Sequence, residues 1–131
     1  MPAASSTAFV PQLIIPHGTT DISFYGKAFN AVQKWVLTND DGSIHVAEML
    51  IDGAMFHFHE ESYAGTNFSP AKYNGVTAII GLMVADVDAV MKQAIAAGAK
   101  EKSPATSYDY GYRQGVLLDP FGHEWLIEMV I

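Results

Sequence analysis

Apolar positions along the chain fall into two successive patterns of one kind. Residues 9–15 form an apolar, β-prone run, and Pro16-His17-Gly18 breaks it. Thr19 or Thr20 can cap a helix through a hydroxyl, and Ile22, Tyr25 and Phe29 follow at helical spacing. Asn30 suits a left-handed stop. Residues 32–38, 44–51 and 55–59 read as three strands, turned at Asn39-Asp40-Asp41-Gly42 and at the hairpin pair Asp52-Gly53. The order then repeats. Residues 77–84 form an apolar strand, Asp86 is an N-cap, and Val87, Met91, Ala94 and Ile95 make a helix face that Gly98 stops. A short strand is expected over 100–103, another over 115–118, a turn at Asp119-Pro120-Phe121-Gly122, and a last strand over 124–131.

The helix stops Asn30 and Gly98 lie 68 residues apart, and the hairpin glycines Gly53 and Gly122 lie 69 apart. Two landmarks with nearly one offset point to a duplicated module. The expectation is an α+β fold of two tandem βαβββ modules forming a curved mixed sheet around a cleft. Module one covers about 9–60, a polar linker about 61–75, and module two about 76–131. Residues 1–8 read as a loose tail without the basic and apolar regions of a signal peptide. Each module has one sheet face that its helix covers and a second face that needs another partner.

Half of the 131 residues are apolar and 16% are charged, enough to fill one core and too apolar for disorder. The net charge is −7, with six Lys and one Arg and no basic run, which argues against nucleic acid. No apolar stretch is long enough to span a bilayer. With no cysteine, disulfides, thiolate metal sites and cysteine nucleophiles are excluded; that absence does not set the compartment but sits easily with the cytoplasmic location expected. No nucleophile motif, phosphate loop or dinucleotide fingerprint is present.

Strand alternation selects candidate chemistry. Met55, His57 and His59 share one face of their strand, as Glu124, Leu126 and Glu128 share one face of theirs. Ala54, Phe56 and Phe58, with Trp125, Ile127 and Met129, take the helix-facing sides, and Trp35 also reads as core. His57, His59 and Glu128 are therefore expected to project into one cavity, joined by Gln12 if its strand has the same parity. Two imidazoles and a carboxylate suit Zn, Fe, Ni or Mn; the same residues also read as polar groups leaving a core. Tyr108, Tyr110 and Tyr112 alternate, which on a strand puts all three on one face for a flat or cationic ligand or for a dimer seam. Arg113 either anchors an anion or pairs with Asp109 or Asp119. His17 reads as a residue leading into the first helix. His45 and Glu48 lie on opposite faces of one strand, one of them exposed and the other at a rim.

The segment Gly111-Tyr112-Arg113-Gln114-Gly115-Val116-Leu117-Leu118-Asp119-Pro120-Phe121-Gly122-His123-Glu124-Trp125 resembles the signature of the glyoxalase, bleomycin-resistance and extradiol-dioxygenase superfamily, the vicinal oxygen chelate superfamily. Asp-Pro-Phe-Gly-His-x-Trp, Phe24-Tyr25 with Ala28-Phe29-Asn30-Ala31, Val84-Ala85-Asp86-Val87-Asp88-Ala89 and Ala97-Gly98-Ala99 resemble its 3-demethylubiquinone-methyltransferase-like branch. The resemblance implies the fold and a homodimer, and does not imply one reaction. Metal-dependent relatives take ligands from the first and last strand of each module. Those positions here are about Val10, His57, Ile79 and Leu126, one good ligand and three apolar replacements. Two functions follow. One is a small-molecule binder of the antibiotic-resistance type, its ligand in the cleft between the modules, with no cofactor. The other is a metal-dependent lyase, isomerase or dioxygenase built on His57, His59 and Glu128. Gln12, Tyr110, Tyr112 and Arg113 complete the expected ligand-binding set. The sequence favours the first.

Overall fold

The computed structural model describes residues 6–131; most of the tail expected over 1–8 lies outside them. The first module runs β1 (Gln12–Ile15), α1 (Phe24–Phe29), β2 (Val32–Thr38), β3 (Ile44–Ile51) and β4 (Ala54–Glu60). The second runs β5 (Ile79–Met83), α2 (Val87–Ala96), β6 (Lys100–Tyr108), β7 (Tyr112–Leu118) and β8 (Glu124–Val130). The strands form two four-stranded sheets of one topology, β1-β4-β3-β2 and β5-β8-β7-β6. In each, the first strand runs parallel to the last, and all other pairs are antiparallel.

Local chemistry explains the element ends. Asn30 stops α1 at φ 57°, and Asp52 and Gly53 both have positive φ, which fits a tight two-residue hairpin. The Asp86 carboxylate accepts the Ala89 amide at 3.1 Å and starts α2; Gly98 at φ 116° ends it. Helix α1 starts later than Thr19 or Thr20. The Thr19 hydroxyl instead donates to the Pro16 carbonyl at 2.8 Å, and the Thr19 carbonyl accepts the Ile44 amide at 2.8 Å. That ties the segment to β3 and leaves Ser23 to precede the helix.

Strand β6 reaches Tyr108, well beyond the expected 100–103. It is the outer strand of its sheet, where a polar sequence and Pro104 are tolerated because one set of backbone groups faces water. Pairing with β7 slips between Glu101 and Ser103, so Lys102 is an extra, unpaired residue.

One face of each sheet is buried, and the two buried faces share a core. Trp125 of β8 lies against Phe29 of α1 at 4.8 Å, Phe56 of β4 at 5.7 Å and Tyr25 of α1 at 6.0 Å between ring centroids. Helices α1 and α2 touch each other, and α2 lies on β6, β7 and β8. Val87, Met91 and Ala94 are buried as the spacing requires, while Ile95 is exposed, being at the margin of that face.

The Asp119 carboxylate links the modules. It is buried and accepts four hydrogen bonds: from the Tyr25 hydroxyl (2.6 Å), Trp125 Nε1 (3.0 Å), and the amides of Phe121 (2.9 Å) and His123 (3.0 Å). The His123 ring donates from Nε2 to the Ile14 carbonyl at 2.8 Å, across to β1. Among the described residues no helix is long and apolar enough to cross a membrane.

Candidate functional site

The face of each sheet turned away from the core is half-exposed. Cross-strand pairing lays out its side chains in rows. In the first sheet one row crosses all four strands: Trp35, Glu48, His57, Gln12. The Gln12 amide nitrogen lies 2.9 Å from His57 Nδ1, and His57 Nε2 lies 3.0 Å from Glu48 Oε1. A carboxylate only accepts and an amide nitrogen only donates, so Nε2 carries the ring proton and Nδ1 is bare. Trp35 stands beside this imidazole, 5.8 Å between centroids, and is 38% exposed. The expectation that Trp35 is core is therefore corrected: its parity is that of Glu48 and His57, on the open face.

In the second sheet the corresponding row is Thr106, Gln114, Glu128, Met83. Gln114 donates to Glu128 at 2.9 Å and accepts from the Tyr110 hydroxyl. Tyr108 and Tyr112 are cross-strand partners, and Tyr110 sits in the turn between them. The three rings do form one row, with centroids 5.4 and 5.9 Å apart. A hairpin assembles it, not alternation along one strand. Arg113 points to the opposite side. It makes a two-pronged contact with Asp88 of α2, both bonds 2.8 Å, in place of the expected Asp109 or Asp119. Its guanidinium holds the Asp88 carboxyl below the usual carboxylate range.

Gln12 and His57 thus come together, and so do Tyr110, Tyr112 and Glu128. His57, His59 and Glu128 do not form one group, because His57 and Glu128 belong to different sheets. His59 Nδ1 donates to the Glu60 carbonyl at 2.6 Å. Both nitrogens of His57 are engaged, and among the described residues no three His, Asp or Glu side chains gather as a ligand set. These residues do not fit a metal ion within one chain.

A second polar cluster escaped the sequence reading. The buried Glu60 carboxylate accepts His17 Nδ1 at 3.0 Å, His45 Nδ1 at 2.5 Å and the Asn39 amide at 3.3 Å. The bond from His45, followed by those from His17 and Asn39, holds its carboxyl below the usual range against the opposing effect of burial. Tyr63 stacks on His17 at 4.2 Å. Residues 17, 39, 45 and 60 meet only because the sheet order brings four segment ends together, and no local spacing announces that.

The family model described as the glyoxalase/bleomycin resistance protein/dioxygenase superfamily matches residues 12–127. An uncharacterised protein of Mycobacterium bovis is 33% identical over 121 residues, covering 90% of this chain and 80% of that protein. A counterpart of Mycobacterium tuberculosis strain H37Rv has the same identity over 71% of its length. Among solved structures, TioX from Micromonospora sp. ML1 superposes with a TM-score of 0.68 at 21% identity, over 95% of this chain and 97% of that one. The fosfomycin resistance protein FosX from Listeria monocytogenes does so at 0.69 and 18% identity, over 96% and 94%. These likenesses show the shared fold of two βαβββ modules.

Proposed function

The chain belongs to the glyoxalase/bleomycin resistance protein/dioxygenase superfamily, and from that premise we propose that it binds a small molecule on the open faces of its sheets, without a cofactor, as a homodimer. The observation that carries the reading is the make-up of those faces. Each has a closed hydrogen-bonded row, Glu48–His57–Gln12 or Tyr110–Gln114–Glu128, set among exposed rings. Satisfied polar groups between aromatic surfaces orient a ligand, and fixed rings supply contact area at little entropic cost. Val32, Leu37, Met83 and Val130 add exposed apolar surface that a second copy would cover. The Asp119 to Trp125 string supports a place in the 3-demethylubiquinone-methyltransferase-like branch. The intracellular, cytoplasmic setting goes with the same reading.

The test is a thermal-shift screen of aromatic amines and carboxylates, followed by titration of Trp35→Ala and Tyr110→Ala variants. The expected outcome is a raised Tm for at least one compound, weakened binding in one or both variants, and a dimer by light scattering. Unchanged binding in both variants refutes the site. Stoichiometric metal in protein purified without an affinity tag would reverse the choice in favour of metal-dependent chemistry.

A further inference from the structure

A third row crosses the second sheet near the start of β8: Lys100, Leu118, Glu124, Ile79. It is the floor of a cavity of about 760 Å³, roofed by the linker at Asn74, Gly75 and Val76 and by the 3₁₀ turn Pro70–Lys72. We infer that this cavity is a binding site for a small organic anion with an apolar body, its charged end held by the Lys100 and Lys102 ammoniums. The inference rests on the reading of the chain as a small-molecule binder and names the ligand class.

The charges argue for an anion. In a chain with seven cationic side chains and net charge −7, two lysines share one cavity. The one-residue slip in the β6–β7 pairing leaves Lys102 out of the ladder, and its ammonium reaches the Glu124 carboxylate. Bulges re-aim side chains in this way. Glu124 is 6% exposed and engages one of three ammonium donors, leaving two. Lys100 makes no ion pair among the described residues. The other carboxylate at the wall, Asp119, has its oxygens filled by Tyr25, Trp125 and two backbone amides. The cavity therefore holds spare cationic donors on Lys100 and Lys102, while its two carboxylates are each already engaged, Asp119 through both oxygens and Glu124 through one.

The walls argue for an apolar body. Ile79 is 55% exposed, an uncompensated apolar surface on the floor, and Leu118 and Val76 are half-buried beside it. The roof is fixed: the Ala71 amide donates to the Phe121 carbonyl at 3.0 Å. A Cβ on Gly122 would come within 2.7 Å of the Ala71 nitrogen, so linker and turn meet in contact. A preformed cavity spares a ligand the cost of ordering its own site.

The probes are hexanoate and hexanamide, matched in shape and different in charge, titrated against ¹⁵N-labelled protein and its Lys100→Met and Lys92→Met variants. Hexanoate is expected to bind roughly fivefold or more tighter than hexanamide, the contrast a charge-assisted hydrogen bond provides. It should move the amides of residues 74–76, 79 and 118. Lys100→Met should weaken the preference, Lys102 alone remaining to hold the charge, and Lys92→Met, on the exposed face of α2, should leave it unchanged. Equal binding of acid and amide, or a preference undiminished by Lys100→Met, overturns the inference. Shifts confined to residues 35, 57 and 108–112 overturn it while leaving the proposed function standing. Binding of neither probe at either place counts against both.

Discussion

Replacing Asp119 tests whether the buried carboxylate joins the modules as its hydrogen bonds indicate. Asp119→Ala removes four acceptors at once. Two of the stranded donors, the Tyr25 hydroxyl and Trp125 Nε1, belong to residues 0% and 1% exposed, so water cannot replace the lost partner. A buried donor without a partner costs about 1–3 kcal/mol. The Phe121 and His123 amides are only half-buried and recover part of their loss from water. The expected destabilisation is about 3–5 kcal/mol. Asp119→Asn preserves shape. The Tyr25 hydroxyl can rotate to accept from the new amide, but the indole Nε1 can only donate, so one donor stays stranded, at about 1–3 kcal/mol. Tyr25→Phe deletes one donor and leaves the carboxylate three, at about 1–2 kcal/mol. Urea unfolding of the three variants measures these values. A second readout is alkaline pH. Burial first, then the charge and hydrogen bond of Asp119, push the Tyr25 hydroxyl well above its ordinary value. The folded state holds that proton more tightly, so its contribution is full below about pH 10 and lost as pH rises beyond it. The Tyr25→Phe penalty should shrink above about pH 10. An Asp119→Asn variant within about 0.5 kcal/mol of the parent, or a Tyr25→Phe penalty that is flat across that range, refutes the reasoning.

Three further outcomes are expected. Trp125→Ala, at the meeting of three aromatic rings, should cost about 3–5 kcal/mol, while His57→Ala, on the open face, should cost under about 1 kcal/mol and weaken ligand binding; unfolding and titration of the same variants decide it. Glu60→Gln should cost about 1–3 kcal/mol at neutral pH. Because the folded carboxyl is held below its usual range, that cost should fade as pH drops below about 4, which urea unfolding across pH can follow. Gly122→Ala should destabilise more than Gly18→Ala: φ is 87° and 86° at the two sites, but only Gly122 faces a neighbour within contact, so melting temperatures isolate the clash with Ala71.

Much of the fold was legible because turns and stops are local. Asn30, Asp52-Gly53, Asp86 and Gly98 act through their own backbone, and the structure has them in those roles. The duplication was legible because such markers recur at a fixed offset. Strand parity placed His57 and Glu128 on open faces, since alternation needs only the strand itself. It failed for Trp35, where aromatic character suggested core and only the pairing with Glu48 shows the face. It failed differently for the metal expectation. Parity says that His57 and Glu128 are each on an open face; it does not say that the two faces meet. The Glu60 cluster and the lysine-lined cavity depend on sheet order and on a one-residue slip in pairing, and neither leaves a mark in spacing.

The links between modules also bear on how the chain folds. The Tyr25–Asp119 bond closes a loop of 94 residues, and the His123–Ile14 bond one of 109. Closing a loop of about a hundred residues costs on the order of 4 kcal/mol in chain entropy, whereas the Asp52-Gly53 hairpin closes almost nothing. Hairpins β2–β3–β4 and β6–β7–β8 can therefore form early and separately. On that argument the contacts around Asp119 are expected to form after the two halves, which a φ-value near zero for Tyr25→Phe would show. Interactions made after the barrier do not set the rate of folding; they slow the return to the unfolded chain. The Asp-Pro-Phe-Gly-His turn then acts as a latch whose strength is read in the lifetime of the native state.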